Sequence, residues 1–262
     1  MAKPKKQRVD ILLVERGLLE SQSLAQRMVM AGQVRANGQV VAKPSSKVPL
    51  DVDLTVDHGP RFVSRGGEKL AGAFDAFPLN VQDAVCADVG ASTGGFTDCL
   101  LQNGAAKVYA IDVGHGILHW KMRSDPRVVV MERTNARYVE ALPDPIRFFT
   151  IDASFISLKV LLPIVRGWLT EMGEGIVLVK PQFEAERHDV AKGDGVIRDP
   201  DIHRRVLEEV LGFAVETGYH VRGLVQSPIH GPKGNVEFLA WLSLRVDATV
   251  SLAKQVDALF EI

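Results

Sequence analysis

Short apolar stretches of strand length alternate with amphipathic segments of helix length through most of the chain after residue 80. Seven stretches are predicted as strands, at residues 84–90, 107–114, 127–134, 147–155, 175–183, 219–227 and 235–244. The segments between them include GGFTDCLLQNG, which ends at Gly104, and PDIHRRVLEEVLGFAVETG, both with helical periodicity. This alternation predicts an α/β protein with a mostly parallel, doubly wound sheet. Because only HGPKGN joins the last two strands, we expect the last strand to run antiparallel.

The first 57 residues follow a different pattern. VDILLVERG has helical spacing and ends at Gly17, while SQSLAQRMVMAG starts with Ser21 as a potential N-cap and ends at Gly32. QVRANGQVV then predicts two strands joined by a tight turn at Asn37 and Gly38. We therefore predict four parts: a small α+β domain at 1–57 with a basic tail at 1–7, a linker at 58–64, an α/β domain at 65–250, and a C-terminal tail at 251–262.

Composition places the chain among ordinary globular proteins, with 46% hydrophobic and 24% charged residues among 262. The N-terminus lacks the apolar segment of a secretory signal, and no apolar run approaches the roughly 18 residues of a membrane span. The two cysteines, Cys86 and Cys99, lie in apolar segments, which favours packed, reduced thiols over a disulfide framework or a zinc site. We expect a cytoplasmic protein without a metal and without membrane contact, and we favour a monomer.

The net charge of −1 conceals an asymmetry between the two parts of the chain. Residues 1–48 hold nine lysines and arginines but three acids, a net charge of +6, so the remainder carries −7. A basic module on a mildly acidic body suggests a polyanion-binding appendage, although a solubilising tail explains the charge equally well.

The turn after the first strand of the larger domain suggests a nucleotide-type ligand. It reads DVGASTGG, and Asp112 ends the next strand, where a carboxylate can accept hydrogen bonds from ribose hydroxyls. A Walker A loop is excluded because no Gly-Lys-Ser/Thr follows, and the G-x-G-x-x-G fingerprint of NAD enzymes is absent. A looser glycine-rich turn suits S-adenosylmethionine, which has no pyrophosphate. The predicted cofactor-binding residues are Asp88, Gly90, Ser92, Gly94, Gly95, Phe96, Asp112, Val113, Asn135 and Ala136.

A hydrolase is a competing interpretation of the same turn. GASTG satisfies G-x-S-x-G, so Ser92 could be a nucleophile at a strand-to-helix turn, with His203 or His230 as its base. Against this, such an elbow normally follows several strands, whereas Ser92 follows the first strand of its domain.

Ionisable residues at the strand ends favour methyl transfer to a hydroxyl. IDASF lacks the prolines of amino methyltransferases, and neither cysteine is placed as the nucleophile that methylation at pyrimidine C5 requires. Asp152 ends the fourth strand, Lys180 ends the fifth and Glu237 lies near the start of the seventh, while Lys69 precedes the first. Each has an ordinary structural explanation alone. A lysine within an apolar strand is harder to explain, because burying an unpaired ammonium is costly.

Two family resemblances connect these features. MAGQVRANGQVV resembles the S4 RNA-binding domain, which implies a face that grips structured RNA through its phosphates. Over nearly its full length, the chain resembles the hemolysin A-like (TlyA) family of ribosomal RNA 2′-O-methyltransferases, an S4 domain joined to an FtsJ-like, Rossmann-type class I methyltransferase. The segments that carry this resemblance are SRGGEKL, DVGASTGGFTDCLLQ, IDASFISL, LVKPQFE and GNVEF.

The resemblance implies site residues, a cofactor and a partner. The Lys-Asp-Lys-Glu tetrad of related enzymes falls on Lys69, Asp152, Lys180 and Glu237. The cofactor is S-adenosylmethionine, and the partner is ribosomal RNA or a ribosomal subunit, with a cytidine as target in 16S rRNA or in both 16S and 23S rRNA. The predicted RNA-binding residues are Arg8, Arg27, Arg35, Lys43, Lys47 and Arg65. GHGILHWKMR departs from the family pattern, with histidines where other polar residues are expected.

Lys180 is expected to be the general base that takes the proton of the ribose hydroxyl, with Lys69 orienting that hydroxyl; the reverse assignment stays open. Desolvation and a second ammonium both favour the neutral lysine that a base must be. Two other classes remain as alternatives: a non-catalytic RNA-binding or assembly factor, and the pore-forming toxin that the hemolysin name suggests.

Overall fold

The computed structural model describes residues 5–246 and 251–260. The chain divides into two compact units, one ending at Arg61 and the other beginning at Phe62. Parts of three predicted boundaries lie outside the described residues: positions 1–4 of the basic tail, the domain end at 250, and positions 261–262. No helix within the described ranges is long and apolar enough to cross a membrane.

The described part of the first unit, residues 5–61, contains two helices and five short strands. Ser21 caps the second helix by accepting a hydrogen bond from the backbone N–H of Leu24. The core of the unit includes the fully buried residues Val9, Leu13 and Val29. Asn37 and Gly38 both have positive φ, so the predicted tight turn is confirmed. The elements are β1 (Lys6–Arg8), α1 (Val9–Glu15), α2 (Gln22–Met30), β2 (Val34–Ala36), β3 (Gln39–Val40), β4 (Lys47–Pro49) and β5 (Leu54–Val56). Strand β1 pairs with β4, and β3, β2 and β5 form an antiparallel sheet.

The second unit is built on the predicted seven-stranded sheet, in the order β11-β12-β10-β9-β6-β7-β8. Its strands are β6 (Val85–Val89), β7 (Lys107–Ile111), β8 (Val128–Met131), β9 (Ile146–Ile151), β10 (Leu169–Val179), β11 (His220–Gln226) and β12 (Phe238–Ser243). Strand β12 runs antiparallel to both of its neighbours, and the remaining pairs are parallel, so the expected antiparallel last strand is confirmed.

Helices cover both faces of this sheet, which explains why the central strands are mostly apolar. One core contains side chains such as Leu70 and Leu100, from the helices at 66–76 and 95–102, and the other contains side chains such as Leu162 and Leu207, from the helices at 158–166 and 200–216. The helical elements are α3 (Gly66–Ala76), α4 (Gly95–Gln102), α5 (Trp120–Arg123), a 3₁₀ turn (Ala136–Tyr138), α6 (Leu158–Arg166), α7 (Pro181–Glu184), α8 (Arg187–Lys192), α9 (Pro200–Glu216) and α10 (Leu252–Phe260).

The structure differs from the predicted organisation at both ends of the larger domain. Phe62 is only 2% exposed and packs with the α3–α4 core, so the end of the predicted linker belongs to the folded second unit. Residues 252–260, predicted as part of a tail, form helix α10. This helix packs on the second unit, since Val256 is fully buried and Gln255 donates a hydrogen bond to the Val221 carbonyl of β11.

Candidate active site

The glycine-rich turn after β6 is held close to the end of the neighbouring strand β9. Gly90 has a φ of +83°, and a Cβ at this position would lie 2.7 Å from the backbone oxygen of Asp152. Ser92 also has positive φ, and its backbone N–H donates to Asp112 Oδ2 over 2.8 Å. The other oxygen of Asp112 accepts from the N–H of Gly114 over 2.7 Å. These contacts fix the turn against the ends of three adjacent strands.

A cleft of about 430 Å³ follows this edge of the sheet. Six predicted cofactor-binding residues line it: Gly90, Ser92, Asp112, Val113, Asn135 and Ala136. The cleft is long enough to run from the glycine-rich turn to the 3₁₀ turn after β8. A smaller cleft of about 210 Å³ lies beside it and is lined by Gly95 and Phe96, together with Lys69 and Ser92.

Two predicted cofactor-binding residues lie beneath these clefts instead of lining them. Gly94 faces Leu118 and Met122, whose side chains a Cβ would meet at 2.9 Å. Asp88 is fully buried and accepts hydrogen bonds from the hydroxyls of Thr97 and Thr150. Burial, and to a lesser extent the charge of Asp152, raise the pKa of Asp88 to about 6, against the effect of the two hydroxyls. Asp88 therefore supports the turn from below.

Asp152 and Lys180 meet because β9 and β10 are parallel neighbours that end at the same edge of the sheet. Lys180 Nζ lies 2.5 Å from Asp152 Oδ1, and the lysine side chain is only 7% exposed. The ammonium also donates to the Ala153 carbonyl over 3.1 Å and to the Ser154 hydroxyl over 3.2 Å. The acceptors around this lysine all come from the segment that follows β9.

Glu237 reaches the same edge because β12 is antiparallel to β10. Val179 pairs with Phe238, so the residue before Phe238 lies opposite the residue after Val179, which is Lys180. The Glu237 carboxylate is 1% exposed, and its Oε2 lies 2.5 Å from Nζ of Lys69, which projects from the first turn of α3. Its Oε1 accepts a hydrogen bond from Gln182 Nε2 over 3.1 Å. Sequence reasoning did not single out Gln182.

The two lysine–carboxylate pairs line one cleft of about 700 Å³. Gly90, Ser92 and Asp152 line both this cleft and the cleft along the ends of β6, β7 and β8, so the two clefts are adjacent. All four residues of the predicted tetrad therefore converge where the proposed cofactor cleft opens. Within the described ranges, no group of three or more histidine, cysteine, aspartate and glutamate side chains could hold a metal ion.

The two histidines weighed as partners of Ser92 have other contacts. His203 is buried in α9, where its Nε2 is hydrogen-bonded to the Ile197 carbonyl. His230 lines the smaller cleft with Ser92, and its backbone oxygen accepts from Arg65. Among the described residues, no hydrogen bond joins Ser92 to a histidine, so the geometry does not support a hydrolase triad.

The predicted RNA-binding residues of the first unit are mostly exposed. Arg27, Arg35, Lys43 and Lys47 reach solvent, whereas Arg8 forms a two-pronged ion pair with the buried carboxylate of Asp10. This pair, with hydrogen bonds from Gln22 and Gln26, lowers the pKa of Asp10 well below its usual value. Arg8 thus has a structural role in addition to any contact with RNA.

Comparison with known families and proteins agrees with this geometry. The FtsJ-like methyltransferase family matches residues 62–244, and the S4 domain family matches residues 7–53. The chain is similar to the Bacillus subtilis protein YqxC, with 50% identity over 91% of this chain and 86% of the relative. It is 45% identical to the 16S/23S rRNA (cytidine-2′-O)-methyltransferase TlyA of Mycobacterium tuberculosis, over 96% of this chain and 95% of the relative. A solved structure from Streptococcus thermophilus aligns with a TM-score of 0.71 and 45% identity, covering 98% of this chain and 96% of that one.

Proposed function

Because the chain belongs to the TlyA family of FtsJ-like methyltransferases that carry an S4 domain, we propose that it methylates a ribose 2′-hydroxyl of ribosomal RNA, with S-adenosylmethionine as donor. The observation that carries this proposal is the convergence of two lysine–carboxylate pairs, Lys69–Glu237 and Lys180–Asp152, on one cleft. By analogy with the M. tuberculosis relative, the target is a cytidine. Action on ribosomal RNA implies a cytoplasmic location, and because the tetrad is complete within one chain, the proposed reaction requires no second copy of the protein.

The residues along the cofactor cleft fit S-adenosylmethionine. The absence of a Cβ at Gly90 lets the glycine-rich turn lie against the Asp152 backbone at the edge of the cleft, and Asp112 stands where a ribose diol would be held. Asn135 and Ala136 at the far end of the cleft would border the adenine. When bound, this donor supplies a methyl group on a positively charged sulfur, which a nucleophile can attack without further activation. The protein must therefore align the hydroxyl and remove its proton.

We assign proton removal to Lys180. Lys180 lines the larger cleft beside the cofactor cleft, and Asp152 Oδ1 holds its Nζ at 2.5 Å. Because a lysine accepts a proton only in its neutral form, methyl transfer should accelerate as pH rises. General base catalysis of this kind is worth about 10²–10⁴-fold.

Lys69 is assigned to hold the ribose hydroxyl in line for transfer. It lies at the start of α3, only 8% exposed, where Glu237 balances its charge. Such alignment can contribute roughly 7–11 kcal/mol, because it removes the entropy cost of bringing the reactants together. In this assignment Lys69 and Glu237 position the acceptor, and Lys180 and Asp152 remove the proton.

The S4 domain is proposed to hold the ribosomal RNA. Arg27, Arg35, Lys43 and Lys47 would contact phosphates, which gives affinity with little sequence discrimination. Arg65 is exposed beside the smaller cleft and would contact RNA close to the reaction centre. Binding should therefore weaken steeply with salt.

The test is transfer of a tritiated methyl group to ribosomal subunits, followed by mapping of ribose methylation. We expect wild-type protein to modify a 2′-hydroxyl, and Lys180→Ala to lower kcat by about 10²–10⁴-fold with nearly unchanged donor affinity in calorimetry. Lys159→Ala is the matched control, because Lys159 is a partly exposed lysine paired with Glu209 on α9. Donor binding without any transfer by the wild type would instead support a non-catalytic RNA-binding factor, and near-normal turnover by Lys180→Ala would refute the assigned base.

A further inference from the structure

Gln182 contacts the tetrad without being part of it. It is the second residue of α7, which begins at Pro181 directly after Lys180, and its side chain lines the cleft of the tetrad. Its Nε2 donates to Glu237 Oε1 over 3.1 Å, while the other oxygen of the same carboxylate is 2.5 Å from Lys69 Nζ. One carboxylate therefore joins the amide of Gln182 to the ammonium of Lys69.

The Glu237 carboxylate has little freedom to move away from these two partners. It is 1% exposed, and a Cβ on Gly231 would lie 2.6 Å from its Oε1, so the glycine backbone packs directly behind that oxygen. If the hydrogen bond from Gln182 were lost, this buried oxygen would lose a donor that water cannot easily replace. The direction in which Glu237 holds Lys69 thus depends on Gln182.

The amide oxygen of Gln182 has a different environment from its nitrogen. The nitrogen must face the carboxylate, because the opposite orientation would place two acceptor oxygens against each other. The oxygen is then buried, with no hydrogen-bond partner among the described residues. Among the described residues, the hydrogen bond to Glu237 is therefore what holds the Gln182 amide in place.

We propose that Gln182 is a positioning residue of the methyl-transfer site. Its amide N–H fixes the Glu237 carboxylate and thereby Lys69, which holds the ribose hydroxyl of the bound RNA. This inference rests on the proposed function, since it assigns a role in seating the acceptor nucleotide. It adds to the tetrad a neutral residue that carries no proton in the reaction.

Gln182→Glu tests the role of the N–H donor through pH. It places two carboxyl groups where the structure has one amide and one carboxylate 3.1 Å apart, and like charges at this distance resist simultaneous ionisation. While the two groups share a proton, the protonated oxygen donates to the other and reproduces the native contact. When that proton is lost at higher pH, repulsion replaces the hydrogen bond, and Lys69 loses its fixed partner.

The experiment measures single-turnover methyl transfer to ribosomal subunits from mildly acidic to mildly alkaline pH, as the ratio of variant to wild type. For Gln182→Glu we expect a ratio near one at the acidic end that falls about tenfold or more with rising pH, with donor affinity unchanged. Gln182→Met, which lacks both the donor and the acceptor at similar length, should be slow at every pH. Gln102→Glu is the matched control, because Gln102 Nε2 donates to Asp98 Oδ1 over 3.0 Å away from the clefts, and its ratio should not vary with pH.

A ratio for Gln182→Glu that stays constant across pH would overturn the inference while leaving the proposed function intact. If the wild type transferred no methyl group to any ribosomal RNA, the proposed function would fail instead. The contact itself is then tested by NMR of carbon-13-labelled glutamate carboxylates. We expect the Gln182→Glu protein to show a coupled pair that titrates at higher pH than the wild-type glutamates, and independent titration of the two groups would refute the contact.

Discussion

The buried carboxylate of Asp88 should give the protein a stability that falls as pH rises from about 4 to about 7. Asp88 is fully buried beneath the glycine-rich turn, and its pKa is raised from 3.8 to about 6, chiefly by burial. The folded state therefore binds a proton at Asp88 over a range in which the unfolded chain has already released it. By linkage, stability declines with pH wherever the folded state binds more protons.

The size of this effect follows from the shift of the pKa. A difference of about two units between the folded and the unfolded state corresponds to about 3 kcal/mol, at about 1.4 kcal/mol per unit. The stabilising contribution is fully present below the unfolded pKa near 4 and is lost as pH rises through the folded pKa near 6. Between pH 4 and 7 the loss should be about 2–3 kcal/mol.

Asp88→Asn isolates this contribution, because asparagine has nearly the same shape, can still hydrogen-bond Thr97 and Thr150, and does not titrate. The assay is urea unfolding of both proteins at several pH values between about 4 and 7. Between pH 4 and 7, the unfolding free energy of Asp88→Asn should rise by about 2–3 kcal/mol relative to that of the wild type. This change is expected whichever protein is the more stable at about pH 4. Asp75→Asn, on the exposed part of α3, is the control and should show a nearly constant difference. A constant difference for Asp88→Asn as well would refute the reasoning.

Two further predictions concern the cofactor cleft and the S4 domain. Gly90→Ala places a Cβ 2.7 Å from the Asp152 carbonyl oxygen, at a φ of +83° that alanine rarely adopts. Calorimetry should therefore show the affinity for S-adenosylmethionine reduced about tenfold or more. An unchanged affinity would mean that the turn adapts easily to the added Cβ. Replacing Lys43 and Lys47 by alanine should weaken binding to ribosomal RNA. In filter-binding experiments, the magnitude of the slope of log affinity against log salt should fall by up to about 2. The same slope as the Lys159→Ala control would exclude phosphate contacts at these two positions.

The edge where the four residues of the tetrad converge was predictable because parallel strands present their carboxyl ends together. Asp152 and Lys180 follow apolar runs of strand length, and their convergence needs only the parallel sheet that alternating elements predict. Glu237 required one more inference, that the last strand is antiparallel, because only that direction brings the start of a strand to this edge. The pairing of each lysine with a particular carboxylate depends on side-chain positions that no spacing in the sequence specifies.

Other features depend on tertiary contacts that local patterns do not encode. Asp88 and Asp112 both stand at or near strand ends, yet one is buried between two hydroxyls and the other borders the cleft. Gln182 follows a lysine and a proline with no periodic signal, so only its contact with Glu237 identifies it. The C-terminal helix did leave a signal, since Leu252, Val256 and Leu259 recur at helical spacing.

The place of β12 in the sheet makes the order of synthesis matter. This strand is the last of the seven in the chain, yet it lies between β10 and β11 and pairs with both. The other six strands are synthesised before residues 237–243. Until those residues leave the ribosome, β10 and β11 lack the strand that pairs with both, and Lys69 lacks its acid Glu237. A chain that stops ahead of β12 therefore lacks the acid that pairs with Lys69, and it leaves the facing edges of β10 and β11 open to aggregation.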